Sequence, residues 1–176
     1  MIKRILTFYA ERLDEFLSRT HRQPEGLATV GLVGKPSEEI PNKVVISLVS
    51  LEKETSGDVS FMQRSGGVFV GQRSPLLMNM YIMLAAVYEP KRYAESLDVL
   101  SETLSFIQSM PKFSTGKETC TVEVIPMSTS DLHHIWTTMG GQYYPSVICK
   151  VRGLVIDSSA IHAAGGTTVA PHVKTW

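Results

Sequence analysis

The sequence predicts an α+β fold, in which a mixed sheet of four to five strands is packed by two long amphipathic helices and one short helix. Apolar residues recur at helical spacing in three stretches, while four or five other stretches are short and rich in branched residues. With 176 residues, of which 43% are hydrophobic, the chain can form one hydrophobic core of ordinary size, whereas two domains would each have only a small core. We therefore expect one domain over residues 1–156, a segment projecting from it at 55–75, and an extended tail at 157–176.

The first long helix is predicted from Ile2 to about Arg22, where Pro24 and Gly26 follow and end it. One apolar stripe runs along it, formed by Ile2, Ile5, Leu6, Tyr9, Leu13, Phe16 and Leu17. Such a stripe has to pack against another element, and a sheet is the expected one. A weak strand is predicted next, at Leu27 to Val33.

Three further strands and the second long helix are expected in the middle of the chain. The strands are Lys43 to Leu51, Leu76 to Val87 and Glu118 to Ile125. The second of these is apolar on both faces, which predicts a central strand covered on both sides. The helix begins at Pro90, is stopped by Pro111, and carries a stripe of Tyr93, Leu97, Leu100, Leu104 and Ile107. Residues 112–117 are predicted to form a turn.

The last part of the predicted domain is a short helix, a tight corner and a strand. Ser128 stands three residues before Asp131, which is the spacing of a capping box, and Gly140 can close the helix. The helical stripe is Leu132, Ile135, Trp136 and Met139. Pro145 then forbids helix, and the period changes to two from Val147 to Ile156, which predicts a strand.

This last unit carries a resemblance to a known family. A short helix with a lone Trp136, then glycine, an aromatic, Pro145-Ser-Val and a strand with Lys150-Val-Arg resembles the signature of cap, or tail-terminator, proteins. These belong to phage-tail-like bacterial contractile injection systems, either extracellular or related type VI-like particles. The first helix, the strand within residues 40–54, the strand bearing Asn79 and Val122-Glu-Val124 match in the same order. The resemblance covers residues 1–156 and implies a tail-terminator-like fold in an N-terminal-domain-only form.

The resemblance implies a structural protein without enzymatic activity, cofactor or metal. Family members form a six-fold ring at the distal end of the tail, where the ring stops growth of the inner tube and sheath. The implied partners are copies of the chain itself in a homo-hexameric ring, the inner tube protein and the sheath protein. We expect assembly in the bacterial cytoplasm, within a particle that can be released. The alternatives are a generic phage tail or portal adaptor, and a small ligand-binding enzyme domain.

Candidate interface residues concentrate in the projecting segment. Its glycines surround two small apolar islands with arginines beside them, which suits an arm between subunits, although simple disorder would also explain the composition. The interface candidates are Phe61, Arg64, Val68, Phe69, Val70, Arg73, Tyr143, Tyr144 and Trp176. For Tyr143 and Tyr144, support of the corner is an equal alternative to a subunit contact. Asn79, Trp136 and Pro145 are expected to be structural core residues.

Several other functions lack their sequence signals. The 17 basic residues balance the 17 acidic ones, so there is no electrostatic reason to expect nucleic acid or a membrane as partner. No apolar run is long enough to span a bilayer. Adjacent helical residues point about 100° apart, so His133 and His134 cannot clamp one metal ion. The chain lacks a Gly-x-Ser-x-Gly motif, and Gly31 to Lys35 is only half a phosphate loop. Cys120 and Cys149 are expected to be buried free thiols.

Overall fold

The computed structural model describes residues 1–24, 26–33, 40–55, 75–116, 118–140 and 142–156. Its elements in chain order are α1 (Ile2–His21), β1 (Ala28–Val30), β2 (Lys43–Lys53), β3 (Leu76–Val87), a 3-10 turn (Pro90–Arg92), α2 (Tyr93–Ser109), β4 (Lys112–Thr115), β5 (Glu118–Val124), α3 (Thr129–Met139) and β6 (Ser146–Ile156). None of the helices in this described part is long and apolar enough to cross a membrane.

The strands form one mixed sheet in the order β1-β2-β3-β6-β5-β4. β1 runs parallel to β2, and every other neighbouring pair is antiparallel. The predicted α+β class is confirmed, but the predicted count of four to five strands is wrong, because the described residues form six. The missed strand is β4, where a turn was expected. It pairs with β5 from Lys112 opposite Thr121 to Thr115 opposite Glu118, and Phe113 is buried.

One face of the sheet is covered by α1 and α2. Tyr9 lies at the centre of this layer, with ring centroids 5.2 Å from Phe106 and 5.1 Å from Phe113. Ile5, Leu13 and the other buried apolar residues of α1 share one core cluster with residues of β2, β3 and β6. The stripe of α1 therefore packs on the sheet, as its spacing predicts.

The opposite face is covered by α3 over the half of the sheet where β3 ends. Trp136 packs there with Val45, Met83 and Ile148 in a second core cluster. Asp131 N–H donates to the Ser128 Oγ over 3.1 Å, which confirms the predicted cap. Because α1 and α2 cover one face and α3 the other, β3 is buried on both faces in this half, as predicted for a central strand.

The apolar stripe by which α2 is predicted is buried only in part: Ile107 is buried and Leu100 packs partly against the core, but the other three residues are exposed. Tyr93 is 53% exposed, and Leu97 and Leu104 are each 42% exposed. The residues of α2 that are buried are Ser96, Val99, Thr103, Phe106 and Ile107. Thr103 can be buried because its hydroxyl donates to the Val99 carbonyl over 2.8 Å within the helix.

Two β-bulges break the regular register of the sheet. In β2, Leu48 lies opposite Ile82 and Ser50 opposite Tyr81, so Val49 is an extra residue. In β6, Arg152 and Gly153 together lie opposite Asn79, since Met78 pairs with Leu154 and Met80 with Val151. Each bulge shifts the alternation of its strand, and the bulge in β2 places Glu52 and Glu54 on the face that carries Val45.

Candidate assembly surface

Three chain segments leave the described fold at the same end of the sheet. β2 ends at Lys53, opposite Met78 near the start of β3, and Leu76 lies opposite Ile156 at the end of β6. Residues 55 and 75, the two ends of the predicted projecting segment, and Ile156, the last described residue before the predicted tail, therefore lie at the same end of the sheet. We call this part of the molecule the exit end. The candidates Phe61, Arg64, Val68, Phe69, Val70, Arg73 and Trp176 all lie outside the described residues.

A belt of polar side chains crosses four strands next to the exit end. It lies on the same face of the sheet as α3, over the half that α3 does not cover. We call it the polar belt, and its members are Glu52, Glu54, Asn79, Tyr81, Glu123, Lys150 and Arg152. Glu52 Oε2 accepts from the Tyr81 hydroxyl over 2.6 Å and from the Lys150 Nζ over 3.0 Å. Arg152 bridges two acids, 2.7 Å from Glu123 and 3.4 Å from Glu54.

The charges of the polar belt stabilise one another. The hydrogen bonds from Tyr81 and Lys150 lower the pKa of Glu52, and the hydrogen bond to Glu123 raises the pKa of Arg152. Both groups therefore stay charged at neutral pH. Ion pairs this exposed add little to stability, so the belt mainly offers a surface whose charges are held in fixed positions.

The polar belt is not among the sites predicted from the sequence, although the sequence contains a signal for it. Glu52 and Glu54 are two residues apart, as are Lys150 and Arg152, and residues two apart on a strand share a face. The order of the strands, which decides that these two pairs meet, cannot be read from that spacing.

The aromatic corner lies on α3 and the loop after it. Trp136 is 3% exposed, and its ring centroid is 5.7 Å from that of Tyr143 and 6.0 Å from that of Tyr144. Tyr143 is 59% exposed, whereas Tyr144 is half-buried and burial raises its pKa. Pro145 is buried, and its carbonyl accepts from the Ala86 N–H over 2.9 Å. The outer ring of this corner is thus available for contact, and the inner residues hold it to β3.

An apolar groove of about 590 Å³ separates α3 from the bulged part of β2. We call it the α3 groove. Its lining residues are Leu32, Leu48, Val49, His134, Ile135, Thr138, Met139 and Gly140. Leu32 is 70% exposed and Leu48 37% exposed, so the groove opens at the outer edge of the sheet. The lining is mostly apolar and contains one titratable side chain, His134.

The described residues contain no group of three or more His, Cys, Asp or Glu side chains placed to hold a metal ion. The rings of His133 and His134 are 6.2 Å apart and both residues are exposed. Cys120 and Cys149 are buried free thiols, as predicted. Burial raises the pKa of Cys149 to about 12, so this thiol stays protonated and unreactive at neutral pH.

Sequence comparison places this fold in a family. Residues 10–169 match the Pvc16 N-terminal domain. The chain belongs to the Pvc16 N-terminal domain family. The match spans the polar belt, the α3 groove and the aromatic corner, and it confirms the membership in the cap, or tail-terminator, family that the Trp136 unit indicates. A search among curated proteins gave no match.

Solved structures share the fold of this Pvc16 N-terminal domain. One is the sheath/tube terminator of PVC, an extracellular contractile injection system in its extended state, with a TM-score of 0.54 and 14% identity over 94% of this chain. Another is the tube-terminating cap of the anti-feeding prophage, with a TM-score of 0.59 and 10% identity over 100% of this chain. This chain spans 63% and 61% of the lengths of those two proteins, and such low identities establish the fold alone.

Proposed function

We propose that this chain is a structural protein that forms a homo-hexameric ring and caps the inner tube and sheath at the distal end of a contractile injection system. The observation that carries the proposal is the shared fold, which extends over nearly the whole chain in two proteins described as a terminator and a cap. The family match over residues 10–169 supports it independently. The chain assembles in the bacterial cytoplasm and becomes part of the particle, with which it can be released.

Termination requires two different surfaces on one ring. A growing tube exposes subunit edges to the next identical ring, so a terminator has to satisfy that edge and offer something else on its other side. The described fold has two surfaces of different character, the charged polar belt and the apolar α3 groove. A rigid pattern of paired charges suits recognition of one defined partner, while the groove suits a close apolar contact.

The projecting segment at 55–75 serves as an arm between subunits in this proposal, with the tail at 157–176 as a second contact. The arm would contribute Phe61, Val68, Phe69 and Val70 as apolar anchors and Arg64 and Arg73 as partners for carboxylates. Tyr143 and Tyr144 at the aromatic corner, and Trp176 in the tail, complete the proposed contacts.

Deletion of Ser56 to Arg73 tests the arm. We expect a folded monomer that no longer forms rings, because the strands on either side of the segment remain intact. Light scattering measures the mass, and circular dichroism checks the fold. A deletion variant that still forms a hexamer would remove the arm from the proposal while leaving the ring itself in place.

Negative-stain images of co-expressed tube and sheath proteins, with and without this chain, test termination. Tubes of uncontrolled length in its absence are the expected result. Unchanged tube lengths with this chain bound at a tube end would support an adaptor instead. Unchanged lengths together with turnover of a small molecule would support an enzyme domain.

A further inference from the structure

The outer edge of β2 is left open over part of its length. β1 pairs only with Val44 to Ile46, and Ser47 is held by its hydroxyl, which donates to Gly31 O over 2.6 Å and accepts from Val33 N over 3.0 Å. Beyond this point, no strand among the described residues lies beside the outer edge of β2. We call residues 48–52 the open edge.

Hydrogen bonds on either side of the bulge show which backbone groups face outward. Val44 N–H donates to Leu27 O, so its groups point toward β1, whereas Glu54 N–H donates to Leu77 O on β3. The backbone groups of successive residues in a strand point alternately to its two neighbours. From Val44 this alternation makes Leu48 face outward, and from Glu54 on the other side of the extra residue Val49 it makes Leu51 face outward, so both point to the open edge. An incoming strand can pair with both.

The open edge carries exposed apolar side chains, and their burial against a partner is favourable. Leu48 is 37% exposed and Leu51 43% exposed, and Leu32 at the mouth of the α3 groove is 70% exposed. Soluble proteins usually protect open sheet edges with charges or proline, because such edges pair with other chains. The open edge carries the bulge at Val49 and the charge of Glu52, but the outward-facing backbone groups belong to the uncharged Leu48 and Leu51, so a strand can still be accepted there.

We propose that Val68 to Val70 of a second copy of this chain pairs with the open edge. The inference deepens the proposed ring by naming its subunit contact. Val68-Phe69-Val70 is the segment's run of strand-forming residues, and Gly66-Gly67 and Gly71 flank it. The run lies within the nineteen residues between Thr55 and Pro75, both of which are at the exit end.

The length of the linker favours a second copy over the chain's own edge. Val70 is five residues from Pro75, an extended span of about 17 Å. Leu51 lies opposite Met80, five residues after Pro75, so reaching its own edge beside Leu51 would take about 10 Å across two strand spacings and about 17 Å along the sheet. The direct distance of about 19 Å exceeds the span of about 17 Å. Donor and acceptor are also different parts of the sequence, and such head-to-tail contacts form a ring when the rotation between neighbouring subunits closes.

Two proline variants test the exchange. Leu51→Pro blocks the acceptor, because proline is tolerated at a sheet edge but cannot donate outward, and Phe69→Pro blocks the donor. We expect each variant alone to be a folded monomer by light scattering. Mixed together, they should form a 1:1 dimer of twice the 19.5 kDa monomer mass, because only one of the two junctions can form.

Matched controls define what each result means. Ser50→Pro removes an N–H that faces β3 and should unfold the chain, while Ser60→Pro should leave the ring intact. Should Leu51→Pro itself unfold, Leu48→Lys with Leu51→Lys blocks the edge without altering the backbone, and the same dimer is expected. If either proline variant alone still forms a ring, or if the mixture of the two stays monomeric, the proposed strand exchange is overturned while the ring itself is not. A wild-type chain that never associates overturns the ring as well.

Discussion

Asn79 donates a 2.7 Å hydrogen bond from its Nδ2 to Oε2 of Glu54, although Asn79 is 2% exposed in the middle of the sheet. It lies opposite the Arg152-Gly153 bulge of β6. The Arg152 side chain approaches the same Glu54 oxygen at 3.4 Å. The buried asparagine is thus the inner end of the polar belt, and it connects the bulge to the exposed charges.

Asn79→Asp should destabilise the fold by about 2–4 kcal/mol at pH 7, because it places a second carboxylate beside Glu54 without the amide donor. The loss should develop as the pH rises above the ordinary aspartate pKa of about 4 and shrink below it. Urea unfolding at several pH values measures it. The control is Asn42→Asp, which keeps the acceptor for the Glu89 N–H and should be nearly neutral. Equal losses at both positions would contradict this role for Asn79.

Gly153→Ala should cost about 3–5 kcal/mol, since a Cβ there would lie 2.3 Å from the Thr119 carbonyl oxygen, and the backbone φ is +101°. Gly26→Ala is the matched control. Gly26 has a similar φ of +117° but no atom within 4 Å of a Cβ, so only about 1–2 kcal/mol is expected. Thermal unfolding compares them, and a Gly153 variant no worse than the control would show that β5 can move aside.

Asp14→Ala should loosen β1 from β2. The Asp14 carboxylate accepts backbone N–H bonds from Gly26, Leu27 and Ala28 at 2.5 to 3.0 Å, which holds the start of β1 to α1. We expect a loss of about 2 kcal/mol and faster hydrogen exchange at the Val44 amide. Glu15→Gln, which alters only exposed ion pairs of α1, should leave that exchange rate unchanged.

Stability should fall as the pH rises from 9 to 12. Burial raises the pKa of Cys149 from 9.0 to about 12, and burial also raises the pKa of Tyr88 to about 12. In this range the unfolded chain loses protons that the folded chain keeps, so each group removes up to about 1.4 kcal/mol per pH unit. Cys149→Ala should flatten the decline between pH 9 and 10. An unchanged slope in that variant would contradict the assignment.

The sequence could predict every element whose residues repeat with a clear period. β3, with its two apolar faces, is found at the predicted bounds of Leu76 and Val87, and the Ser128 cap begins α3 as expected. β4 could not be predicted, because its four residues carry one large apolar side chain, Phe113, and its pairing with β5 decides its structure. Local sequence contains too little information for so short a strand.

The buried face of α2 and the candidate surfaces were harder to predict than the positions of the elements. The stripe through Tyr93, Leu97 and Leu104 has helical spacing, yet tertiary packing buries the side of α2 that bears Val99 and Phe106. Spacing reveals a helix but does not choose between two partly apolar faces. The open edge depends on where β1 stops, and the polar belt depends on strand order. Both are properties of the assembled sheet.

Elongation of purified tubes tests the central claim most directly. Preformed tubes are incubated with this chain, labelled tube protein is added, and growth at each end is measured by electron microscopy over time. If this chain is a terminator, growth stops at the end that carries the ring and continues at the other. Growth at both ends, at the rate seen without this chain, would contradict the account.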